Sequence, residues 1–149
     1  MRPGADRITA CLERAGVVAD VTVQALGVVC RVRPAHSLSA LAALRGADYD
    51  VLVDMFATDT RSKVELTYHL RSAGDGREAY VRTRAGYDAV VQSASGVFPA
   101  AAIAEREAAE LFGLTFAGNP DMHRLLTTSE APDPLMRKSV RLAAKGGSR

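Results

Sequence analysis

Tryptophan is missing from this sequence, and aromatic residues of all kinds make up only 5% of it. Readers of single-stranded RNA stack bases on aromatic side chains set among basic ones, and no stretch here has that pattern. Cysteine is nearly missing too: Cys11 and Cys30 are the only two, and no Cys-x-x-Cys occurs. Iron–sulfur clusters and structural zinc draw on closely spaced Cys or His ligands. The chain is therefore expected to hold neither, and both cysteines read as buried reduced thiols. No apolar run approaches the roughly 20 residues of a membrane-spanning helix. Met1 to Asp6 lead into Arg7 and Glu13 without an apolar segment, so no signal peptide is expected. No glycine-rich phosphate loop and no nucleophile–base pattern is visible. Lys and Arg number 19 against 17 Asp and Glu, and a net charge of +2 is too small to argue for nucleic acid by itself.

What remains is an ordinary globular composition. Of 149 residues, 48% are apolar and 24% charged, which suits one soluble domain with its own core. Residues 7–15 have helical spacing, with Ile8, Cys11, Leu12 and Ala15 on one side and Gly16 as the stop. Residues 17–32 are rich in valine and read as one strand, kinked or bulged at Gly27. Ser37 is placed to cap a second helix with Leu38, Leu41, Ala42 and Leu44 as its stripe and Gly46 at its end.

Three strands follow. Residues 50–57 are apolar on both faces, which predicts a central strand. Residues 63–71 alternate strictly, with Val64, Leu66, Tyr68 and Leu70 inward and Lys63, Glu65, Thr67, His69 and Arg71 outward. Gly74-Asp75-Gly76 is a hairpin turn, and residues 78–84 return as the partner strand. The predicted fold is α+β: an antiparallel sheet of about four strands with helices packed on it, then an extended C-terminal tail. Residues 87–96 read as a connector. Pro99 opens a third helix that ends at Phe112, with Gly113 as its left-handed stop. Domain boundaries are set at 1–117 for the α+β domain and 118–149 for the tail. That tail is broken by prolines and carries, from residue 124 on, six Lys or Arg against Glu130 and Asp133. A basic, partly apolar segment of this kind can wrap a partner.

On a helical wheel, Ala100, Ala101, Ala104, Ala108, Leu111 and Phe112 form the apolar arc of the third helix. Glu105, Arg106 and Glu110 point away from its centre, Arg106 and Glu110 as an exposed i,i+4 pair. Glu107 falls on the margin of the buried face, between Ile103 and Leu111. A carboxylate there needs water, a proton or a cation, and Arg124 or Arg137 from the tail is the expected partner.

The run from Glu105-Arg106-Glu107 through Leu111-Phe112-Gly113 to Gly118-Asn119-Pro120-Asp121 resembles the signature of one family, that of the NADH-quinone oxidoreductase C subunit, the 30 kDa-type subunit of complex I. Tyr68-His69-Leu70-Arg71-Ser72, residues 52–59 and Pro134-Leu135-Met136-Arg137-Lys138 resemble other parts of it, so the likeness covers residues 35–141. There are departures. Asn119 stands where the family usually has His, His123 replaces the first of an Arg pair whose second is Arg124, and Ile103 replaces a Trp. Met136 is extra, and Ser139-Val140 replaces Asp and an aromatic. They fit a divergent relative, such as the matching subunit of a membrane-bound energy-converting [NiFe] hydrogenase or a formate hydrogenlyase.

The resemblance implies a non-catalytic scaffold subunit of a peripheral arm, supporting electron transfer from NADH to quinone and lying on the inner face of the membrane only through its complex. It implies a hydrogenase-large-subunit-like partner (the D-type subunit of complex I) and an iron–sulfur small subunit. It implies no cofactor in this chain, with iron–sulfur clusters and NADH, quinone or [NiFe] in the partners. Glu105, Arg106, Glu107, Glu110, Gly113, Gly118, Pro120, Asp121, Arg124, Arg137 and Lys138 are then structural or interfacial. The histidines are read singly: His36 at the surface or capping, His69 outward on its strand, His123 at an interface. Asp121 with His123 forms at most half of an acid–base pair. The reading from another class is a free-standing α+β RNA-binding module, suggested by a pI of about 8.7.

Overall fold

The computed structural model describes residues 3–120. The expected tail, with Asp121, His123, Arg124, Arg137 and Lys138, lies outside them.

Helix α1 (Pro3–Arg14) precedes the strands β1 (Ala19–Gln24) and β2 (Gly27–Val32). A 3-10 turn (Pro34–His36) leads into α2 (Ser37–Gly46). Strands β3 (Val51–Asp59), β4 (Val64–Arg71) and β5 (Glu78–Ala85) follow, then β6 (Val90–Gln92), α3 (Ala101–Phe112) and β7 (Thr115–Ala117). The sheet has five strands in the order β1-β2-β5-β4-β3. The β3–β4–β5 meander is antiparallel as expected, while β2 and β5 run parallel. The fold is α+β, with one strand more than anticipated and one parallel pair.

The inward set of β4 is as expected, with Val64, Leu66, Tyr68 and Leu70 all fully buried, although Thr67 on the other face is buried too. Val21, Cys30, Val81, Tyr68 and Met55 form one row across the sheet on that face. Helices α1, α2 and α3 pack there, α3 over β3 and α2 over β5. The opposite face carries Thr22, Val29, Tyr80, His69 and Asp54 in the matching row. It has no helix on it among the described residues.

Two expectations are corrected. The stretch 17–32 is a hairpin, turning at Ala25 and Leu26, rather than one bulged strand. Neither turn residue has a positive φ, so the usual Asn-Gly signal is missing. Gly27 explains itself instead by proximity: at φ 146° a Cβ there would lie 2.9 Å from the Glu78 carbonyl oxygen. The second correction is β3, which is an edge strand. Its register slips between Leu52 and Asp54, and Val51, Val53 and Phe56 stay exposed. A bulge on an edge strand twists it away from pairing with other chains.

Helix α3 ends as foreseen: Gly113 takes φ 80° and donates its N–H to the Ala109 carbonyl at 2.9 Å. The connector before it holds β6, which pairs in parallel with β7 as a second, two-stranded sheet. Arg45 of α2 donates to the Val97 carbonyl and lies over the Phe98 ring, tying this connector to the helical layer.

Candidate functional site

The buried stripe of α3 runs through Ala101, Glu105, Ala108 and Phe112, the spacing of a core-facing helix. Glu105 therefore occupies the middle of the buried face and is 0% exposed. This reverses the wheel, which sent Glu105 and Glu110 outward and kept Glu107 at the margin. Glu107 is exposed, Glu110 is buried and Arg106 is half-buried. Ile103, counted beside the margin, is 59% exposed. The wheel ran its arc through Ala100, Ala104 and Leu111, which lie off the buried stripe, Ala100 exposed and the other two half-buried.

A carboxylate in a core must collect hydrogen bonds, and Glu105 does so from neutral donors. The Ser93 hydroxyl donates to Oε1 at 2.6 Å and the Ala94 N–H to Oε2 at 2.6 Å. Asn119 Nδ2 donates to Oε1 at 2.9 Å and to the Ala102 carbonyl at 3.0 Å. Ser93 has one hydroxyl proton, already given to Glu105, so in the 2.9 Å contact with Ser95 the Ser95 hydroxyl is the donor. The Ser95 N–H adds a further bond to Ser93 Oγ at 3.1 Å.

Strand pairing supplies this geometry. The Ser93 N–H reaches the Ala117 carbonyl at 2.8 Å, extending the β6–β7 ladder. Gly118 then takes φ 91°, and the Asn119 N–H turns back to the Phe116 carbonyl at 3.2 Å. The carboxylate thus joins α3, the loop after β6 and the segment after β7 at one point. The arrangement acts as a fixing post for these three segments. Among the described residues, no group of three or more His, Cys, Asp or Glu could hold a metal ion. Pro120, the last described residue, is exposed.

Tyr68 belongs to the same layer. Its hydroxyl is buried without a hydrogen-bond partner among the described residues. Burial first, and then the charge of Glu105, pushes its ionisation well above the usual range for a tyrosine. A second buried carboxylate, Asp59 at the end of β3, accepts from the Tyr87 hydroxyl at 2.6 Å and the Arg61 N–H at 2.8 Å.

The remaining residues singled out in the sequence separate widely. His36 Nδ1 faces the Val18 N–H at 3.4 Å. His69 lies on the helix-free face, stacked on Tyr80 with ring centroids 4.4 Å apart and Nε2 2.5 Å from Glu78 Oε1. That bond is the largest influence on the Glu78 carboxyl and, against the opposing effect of burial and with a smaller contribution from Arg71, holds it below its ordinary value. Both cysteines are free thiols. Cys11 donates to the Ala43 carbonyl, and burial, with a smaller effect of Cys11, pushes Cys30 up to about 12.

Residues 30–145 match the family described as respiratory-chain NADH dehydrogenase, 30 Kd subunit. The chain belongs to this family. It is 35% identical over 108 residues to the NADH-quinone oxidoreductase C subunit of Phenylobacterium zucineum (strain HLK1), an alignment covering 69% of this chain and 52% of that protein. The chain thus spans about half the length of that curated relative. Its fold is similar to a chain of the membrane-bound sulfane sulfur reductase, an archaeal respiratory membrane complex, with a TM-score of 0.74 and 25% identity. That likeness covers 87% of this chain and 79% of the other. A trypsin-resistant fragment of Nqo5 shares the fold at a TM-score of 0.64 and 23% identity, over 77% of this chain and 98% of the fragment. Within the 30 Kd family, α3 and its Glu105 are the centre of the resemblance read from the sequence. Among the described residues, no helix of this family member is long and apolar enough to cross a membrane.

Proposed function

We propose that the chain is a non-catalytic scaffold subunit of a complex I-like membrane oxidoreductase, held on the peripheral arm against a hydrogenase-large-subunit-like partner and near an iron–sulfur small subunit. The observation that carries this reading is the family match over residues 30–145. The Glu105 post supports it, because it fixes the point from which the basic C-terminal segment departs. Cofactors, in this reading, reside in the partners, and the chain meets the membrane's inner face only through them. NADH-to-quinone transfer is the reaction it supports.

A second reading has a specific observation behind it. The fold's likeness to a chain of the sulfane sulfur reductase complex, together with the departures at Ile103 and Asn119, favours an equivalent subunit of a related complex, of the group that includes energy-converting [NiFe] hydrogenases. Native co-purification tests both. A tagged chain is expected to elute with a large-subunit-like protein and with iron–sulfur proteins, and the cofactors of those proteins separate the two readings. A stable monomer that binds RNA with a steep salt dependence overturns both in favour of the RNA-binding module.

A further inference from the structure

The sheet face that bears no helix among the described residues carries a groove, and what is inferred from it rests on the scaffold reading above. The β2–β5 pairing stops at Arg31 and Arg82, while β5 runs on against β4 to Ala85. Where the two strands part, the groove opens. Arg31, Arg33, Lys63, Arg82 and Arg84 line it, against the acids Asp20 and Glu65. Glu65 lies between two of the arginines, 3.6 Å from Arg31 Nη1 and 3.2 Å from Arg84 Nε, so it holds both guanidinium groups in place without neutralising them all. One polar atom in the groove lining is buried and unmatched among the described residues: Arg82 Nε. Native proteins pair nearly all such atoms.

We propose that this groove receives an acidic, extended segment of another subunit. Charge selects the occupant. The chain's own C-terminal segment is basic, with six Lys or Arg from residue 124 on, and does not complement the groove in charge. A uniformly anionic lipid surface meets Asp20 and Glu65 as well as the arginines, and cannot arrange its charges around those two acids. A peptide can place its carboxylates between those acids, opposite Arg31, Arg82 and Arg84, where guanidinium groups bind carboxylates in bidentate fashion. It can also place one apolar residue on Val18, which borders the groove and is 71% exposed.

The test uses the assembled complex, with a benzophenone photocrosslinker in place of Lys63, whose bonds among the described residues are made by its backbone alone. The expected product is a link to a partner-subunit stretch in which Asp and Glu outnumber Lys and Arg. Arg31→Gln with Arg84→Gln, in a chain whose melting temperature is unchanged, is expected to release that subunit at half the salt concentration or less. Crosslinks to lipid alone, to a second copy of this chain, or to a stretch without acidic excess overturn the proposal, as does an unshifted salt profile. If the double variant does not fold, the crosslink in the otherwise native chain decides. Failure of any subunit to co-purify overturns the scaffold reading as well. An intact complex whose crosslinks avoid position 63 overturns the groove alone.

Discussion

Asn119 Nδ2 lies 2.9 Å from Glu105 Oε1, and the same nitrogen reaches the Ala102 carbonyl one turn earlier on α3. One amide therefore clips the segment after β7 to both the side chain and the backbone of a helix laid down 14 residues before it. The departure from His at position 119 keeps this function, because an imidazole N–H can also donate to a carboxylate.

Glu105→Gln is expected to destabilise the fold by about 1–3 kcal/mol, the range for leaving buried groups unpaired. Three donors converge on the carboxylate, and an amide would turn an N–H toward one of them. Asn119→Ala should cost about 1–3 kcal/mol, since hydrogen bonds to charged groups are the stronger class. Asn119→His should recover most of that loss. Urea denaturation of the full chain checks all three, and equal stability for Asn119→Ala and native protein would contradict the clip.

Tyr68→Phe should leave stability unchanged or raise it. The hydroxyl is buried and has no partner among the described residues, so its loss removes a desolvation cost of about 1–3 kcal/mol at most. A calorimetric melting temperature at or above that of the native chain is expected, and a drop of several degrees would show that the hydroxyl is engaged.

Gly27→Ala should be poorly tolerated. The new Cβ would sit 2.9 Å from the Glu78 carbonyl at a backbone φ of 146°. Strain of this kind costs on the order of 1–3 kcal/mol. The expected readout is a lower urea midpoint together with faster amide exchange in β2 and the start of β5.

Acid should weaken the helix-free face through Glu78. Its folded-state pKa is lowered, chiefly by the hydrogen bond from His69. The folded carboxylate thus binds its proton less tightly than the unfolded one. The contribution is present above the ordinary value of 4.5 and is lost as pH falls through the lower folded value. Glu78→Gln should flatten the stability–pH curve on that acid limb and leave its slope near neutrality alone. Denaturation curves measured from about pH 3 to 7 on both proteins make the comparison.

The sequence was most legible where one period ruled a whole element. The inward set of β4 could be read directly because its apolar residues recur at every second position and all face the helical layer. Gly113 was legible for a local reason, the left-handed stop that only glycine adopts cheaply. Position within the sheet was not legible in β3: apolar residues on both faces suit a central strand, yet the strand lies at the edge. The β1–β2 turn was hidden because its cause, the approach of Glu78, lies far along the chain. Glu105 was hidden for a related reason. The donors that make a buried carboxylate tolerable sit on Ser93, Ala94 and Asn119, and no wheel of the helix alone contains them. The 4-3-4 spacing of Ala101, Glu105, Ala108 and Phe112 was the available signal, but it required accepting a charged residue as part of a core stripe.

The parallel pairing of β2 with β5 sets a timetable for synthesis. Val28 meets Ala79 across that junction, so the first hairpin leaves the ribosome long before its neighbour exists. At translation speeds of about 5–20 residues per second, the wait is roughly 3–10 s. During that interval Val29 and Cys30, both 0% exposed in the finished sheet, have β1 on one side and no strand on the other. The nascent chain is most vulnerable to wrong partners in those seconds, and the vulnerability ends only when the last of the five strands arrives to fill the gap between β2 and β4.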